Sequence, residues 1–160
     1  MSMKSLIMVT VVAGVWSMSG SRALAQDPSR EDVKLFRKDI RSLKKQIVAA
    51  NMDLTDDEAQ QFWPIYDRYI AELVGLYDKK FALLEEYAEN YASLTDDEAE
   101  SYVKGREEVE ESIMQLRLKY FPIFRKVLSG KATALFFQMD WRFSLIVDLQ
   151  LASQTPLIEP

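Results

Sequence analysis

The chain has 160 residues, with 20 Lys and Arg against 25 Asp and Glu, and contains neither cysteine nor histidine. It therefore has no thiol nucleophile, no imidazole base, no disulfide and none of the ligands that transition metals prefer. A net charge of −5 disfavours nucleic acid as a partner.

At the N-terminus, Lys4 precedes an apolar run from Leu6 to Trp16, followed by Ser19, Gly20, Ser21 and then Ala23-Leu24-Ala25. This order is that of a secretory signal peptide, with cleavage expected after Ala25. The run is shorter than the ~20 apolar residues a membrane span needs. Removing residues 1–25 takes away Lys4 and Arg22 but no acid, which leaves 18 basic and 25 acidic residues. Residues 26–160 then suit a single domain with one core, since domains commonly hold ~100–150 residues. Without cysteine, an exported domain depends on burial or on a partner chain for stability, and its many Phe and Tyr residues supply the apolar area.

The first predicted helix covers roughly 29–51. Ser29 and Asp32 read as its capping box, and Val33, Phe36, Ile40, Leu43, Ile47 and Ala50 as its apolar stripe. Its other face carries Arg30, Lys34, Arg37, Lys38, Arg41, Lys44 and Lys45 against Glu31, Asp32 and Asp39, a net +4. The hexapeptide LTDDEA follows at Leu54–Ala59 and recurs at Leu94–Ala99. In each copy the threonine can accept from the backbone N–H of the glutamate three residues on, and the three acids complement the helix dipole, so both copies predict helix starts.

After the first copy a stripe runs through Phe62, Tyr66, Tyr69, Leu73, Leu76, Leu84, Tyr87 and Tyr91, on a segment from 53 to 91 of net charge −7. After the second it runs through Tyr102, Val109, Ile113, Leu116, Tyr120, Phe124 and Val127. A degenerate third start at Leu128-Ser129-Gly130 leads into Leu135, Phe136, Met139, Phe143, Ile146 and Leu149, and Thr155-Pro156 stops that helix. The expected fold is all-α: four amphipathic helices in antiparallel hairpins, joined by short connections. Pro64 and Pro122 fall inside helical patterns and predict kinks in the two long helices.

Each motif has a plain structural reading beside a functional one. Asp56, Asp57 and Glu58, like Asp96, Asp97 and Glu98, are explained by capping, which leaves no positive feature for an enzyme and no catalytic residue. Glu107, Glu108, Glu110 and Glu111 read as a solvated face, since no EF-hand loop is present and no metal site or cofactor is expected. The basic face of the first helix either lies along the acidic second helix or serves as a docking stripe through Arg37, Lys38 and Arg41. Adjacent aromatics are the strongest sign of contact surface. Neighbouring residues on a helix point about 100° apart, so one of Phe62 and Trp63, and one of Phe136 and Phe137, is expected to face a dimer mate or a client. The candidate protein-binding residues are therefore Arg37, Lys38, Arg41, Trp63, Tyr66, Phe121, Phe124, Phe137 and Trp141.

With its leader, its repeated Leu-Thr-x-x-Glu helix starts and Phe62-Trp63-Pro64 after the first of them, the chain resembles the Spy/CpxP family of periplasmic stress proteins, known by an LTxxQ motif. Glutamate stands here where the family writes glutamine. The resemblance implies a periplasmic protein, a curved helical homodimer whose concave face holds unfolded clients without ATP or docks on a sensor kinase. The chain departs from the family in its acidity, and in keeping only Met52, Met114 and Met139 after cleavage, which argues against metal sensing. The expected function is that of an ATP-independent chaperone or envelope-stress adaptor binding polypeptides through apolar helical surfaces. The alternative is a regulatory accessory protein that docks on a membrane sensor or envelope complex.

Overall fold

In the computed structural model, which describes residues 42–158, both copies of LTDDEA begin helices. Glu58 donates its backbone N–H to Thr55 Oγ1 at 3.3 Å, and Glu58 Oε2 accepts from the Thr55 N–H at 3.0 Å. Thr95 and Glu98 repeat the reciprocal pair at 3.3 and 2.9 Å. Two otherwise unsatisfied donors are thereby bonded at each start.

Residues 42–51 are helical (α1) and are followed by α2 (Asp56–Asn90), a 3₁₀ turn (Tyr91–Ser93), α3 (Asp96–Arg125) and α4 (Gly130–Gln154). Ser129 opens α4 by accepting from the Ala132 N–H at 3.2 Å, and Thr155 ends it ahead of Pro156. The fold is all-α, with no strand among the described residues. Both α2 and α3 run without interruption through Pro64 and Pro122, which sit on exposed positions where the unpaired carbonyls can meet water.

Contacts between helices give their directions. Along α2 and α3, Phe62 meets Phe124, Tyr69 meets Tyr120 and Tyr87 stacks on Tyr102, so the two helices run in opposite senses. Phe121 with Phe137 and Phe124 with Phe136 give the same relation between α3 and α4. The core lies where the three helices meet. Phe62, Tyr69, Phe124 and Phe136 are fully buried, with Leu73, Ile113 and Leu116 extending the cluster toward the far end.

α1 joins this core on a different face from the one its apolar spacing predicts. Leu43 is 53 % exposed and Ala50 is exposed, while Val48 is fully buried and Lys44 is 7 % exposed. The helix turns inward on Lys44 because its ammonium is needed there: Nζ lies 2.6 Å from Oδ1 of Asp140, a carboxylate with no solvent exposure. A buried charge left alone would cost far more than one leucine left in water.

Candidate protein-binding surface

The polar interior organises the helices whose outer faces form the surface. Asp140 accepts from Lys44 Nζ at 2.6 Å, Tyr69 Oη at 2.8 Å and Arg117 Nε at 2.9 Å, and Arg117 also donates to Ser144 Oγ at 2.6 Å. Burial alone would push the Asp140 carboxyl up; the Lys44 and Arg117 charges more than offset it and hold the group below the usual carboxylate range. Burial, and then the Asp140 charge, raise the Tyr69 phenol far above its ordinary value, so it remains a donor. Further along, Lys80, 1 % exposed, lies 2.5 Å from both Glu110 Oε1 and Asp148 Oδ1. One centre is an anion held by two cations, and the other is a cation held by two anions. Both tie α2, α3 and α4 together, and the first ties in α1.

The candidate binding residues fall into three groups. Arg37, Lys38 and Arg41 lie outside the described residues. Tyr66, Phe124 and Phe137 are in the core, at 2, 0 and 4 % exposure, and are out of reach of a partner. Phe121 and Trp141 are about half exposed, at 48 and 51 %, and Trp63 is partly buried under the Lys45 ammonium, 5.3 Å from its ring centroid.

The expectation that one of Phe136 and Phe137 faces outward is overturned, because both are buried. α4 rests on two helices at once: Phe136 packs into Phe62 and Phe124, and Phe137 is enclosed by Tyr69, Phe121 and Phe124. Residues 100° apart therefore each find a partner. The basic face of α1 is likewise engaged inside the fold where it is described, Lys45 with Asp67 on α2 at 2.6 Å and Lys44 with Asp140 on α4.

The main apolar surface lies elsewhere, on positions the aromatic pattern did not mark. α2 and α3 are amphipathic, but α4 carries apolar side chains in every direction. A helix of that kind belongs in an interior, yet Leu145, Ile146 and Leu149 are 66, 65 and 73 % exposed. On α3, Met114, Leu118 and Phe121 are also about half exposed. The register set by Arg117 with Asp140 and by Phe121 with Phe137 puts Leu118 level with Trp141, and Met114 level with Leu145. Exposed apolar side chains thus stand at matching heights on α3 and α4. The sequence signal was the absence of periodicity in α4: leucines and isoleucines occur on the side where α2 and α3 place charges.

Two grooves adjoin the bundle. One, of about 330 Å³, runs between α1 and α2 past Lys45, Tyr66 and Asp67, and the other, of about 130 Å³, lies by Tyr87 and Tyr102. Among the described residues no helix is long and apolar enough to cross a membrane. Comparison with protein-family profiles, with characterised proteins and with solved structures finds no match to this chain.

Proposed function

We propose that the protein is an exported polypeptide-binding protein, an ATP-independent chaperone or envelope-stress adaptor of the periplasm, which holds other chains against the apolar face of α4. The observation that carries this reading is the bare row Leu145, Ile146 and Leu149 on a helix otherwise composed like an interior one. The leader-like N-terminus supports export, and the doubled capping hexapeptide supports kinship with the Spy/CpxP proteins.

A second copy of the chain is the proposed partner for the α3–α4 seam. Residues 96–111 of α3 carry eight acids and two bases, whereas residues 112–126 carry four bases and no acid, with Met114 and Leu118 near the change of sign. Arg117 is engaged by Asp140 and Lys119 by Glu72, so Arg125 and Lys126 are the bases that two copies laid antiparallel about that point would set against each acidic half, in a self-complementary two-fold contact. Docking on a sensor through Arg37, Lys38 and Arg41 has less support, since neighbouring Lys44 and Lys45 are committed within the fold.

Light scattering tests the main reading. At several-fold excess, the chain lacking residues 1–25 is expected to delay aggregation of a heated or reduced client, and Leu145→Gln with Ile146→Gln and Leu149→Gln is expected to abolish the delay while helicity by circular dichroism is unchanged. Protection that survives the triple substitution sinks the assignment to α4.

A further inference from the structure

Beyond Asp148 the edge of α2 continues to hold α4's chain, but by different groups. Tyr87 in the last turn of α2 and Tyr91 at the start of the 3₁₀ turn donate their hydroxyls to successive main-chain carbonyls of residues 156–157: Tyr87 Oη to Pro156 O at 2.8 Å, and Tyr91 Oη to Leu157 O at 2.7 Å. The backbone has left the helix at Thr155, where φ is −95° and ψ 116°, and the two phenols hold the non-helical segment that follows. They take no account of its side chains. Leu157 is 87 % exposed and Ile158 47 %, and what the tyrosines read is the carbonyl that every residue has.

The donors are mounted firmly. Tyr87 is 3 % exposed, stacks on Tyr102 with ring centroids 4.5 Å apart, and meets Tyr91 edge-on at 5.8 Å. The groove of about 130 Å³ beside Tyr87 mixes Leu83, Leu94 and Tyr102 with the polar Glu86, Asn90 and Glu98. A pair of donors that engages backbone alone has the chemistry of a receptor for polypeptide of no set sequence.

We propose that Tyr87 and Tyr91 form a main-chain-reading site for an extended polypeptide, and that residues 156–158 fill it in cis as a tethered competitor. The proposal rests on the polypeptide-binding reading above and adds a second contact and a form of self-restraint to it. Two neutral hydrogen bonds hold a segment weakly, but a short tether keeps the tail at an effective concentration of order millimolar. Short passing segments are thereby excluded. A long client anchored on α4 displaces the tail.

The test uses a chain ending at Thr155, which keeps α4 and its cap, and a fluorescent peptide of this chain's own residues 153–160. The shortened chain is expected to bind the peptide about tenfold more tightly than the full chain does, the gain from removing a tail that fills the site about nine-tenths of the time. Tyr87→Phe with Tyr91→Phe keeps the ring packing and is expected to erase that gain, and a scrambled peptide is expected to bind as well as the native order. Equal binding by the shortened and full chains overturns the proposal, as does a gain that persists without the hydroxyls. Rejection of the scrambled peptide overturns it too, by showing a strap specific to its own tail. The titration contains no client, so failed aggregation protection and a failed peptide titration are separate results.

Discussion

Asp140 is where a single residue governs most of the molecule. Three donors from α1, α2 and α3 converge on it, and two of them are cations with little access to water. Removing one member of such a set leaves buried charge uncompensated, which typically costs about 3–5 kcal/mol. Asp140→Ala is expected to lower stability by that amount in urea titration, and Asp140→Asn by less, because the amide oxygen still accepts. The sign of the pH dependence follows from the depressed folded value. The stability Asp140 contributes is complete above its ordinary value of about 3.9 and is lost as pH falls through the lower folded value, so Asp140→Asn should flatten the acid limb of the stability curve. This centre was not read from the sequence, although Asp140 is the lone acid in the apolar stretch from Leu135 to Phe143. Lys80, next to Lys79 in a polar stretch, gave no such sign, because a long side chain can reach a buried partner from almost any surface position.

At the scale of the element, the helix starts at Thr55, Thr95 and Ser129 were legible, while the start expected at Ser29 lies outside the described residues. Thr55 and Thr95 act within three residues of themselves, and local chemistry is what a sequence states most directly. Replacing either threonine by alanine is expected to cost about 1 kcal/mol in thermal or urea unfolding, and the two losses should add, since the caps share no partner. If both substitutions are neutral, the duplicated hexapeptide has some role other than capping. The faces of the helices were less legible. In α1 the apolar period pointed to Leu43, while the fold turned Lys44 and Val48 inward to serve a residue 96 positions away. In α4 the count of buried positions depended on how many helices it would touch, which no local window contains. Phe137 is the residue on which that shows, enclosed by neighbours from both α2 and α3.

For the whole molecule, the fold class and helix order were readable from hydrophobic period and capping, whereas the exposed apolar surface was only half so. Phe121 and Trp141 are exposed, but the larger bare area on Leu145, Ile146 and Leu149 was read as a core stripe at its edges. The charge order of α3 makes the dimer reading testable at this scale. Sedimentation velocity of the chain without residues 1–25 is expected to show a dimer that loosens as salt rises, because exposed ion pairs are screened over a Debye length of ~8 Å at physiological ionic strength. Leu118→Glu is expected to yield monomer at all concentrations. A monomer in the unsubstituted chain at low salt would remove the two-fold arrangement.

The two buried ion centres carry one more consequence, for the speed of capture. They clamp α4 at Asp140 and again at Asp148, so lifting the helix away would deprive the buried Lys44 and Lys80 and the largely buried Arg117 of carboxylate partners. Under the function proposed above, a guest meets a surface already formed, with no helix to lift. Its arrival is limited by collision and orientation, and its departure by how much grease it covered.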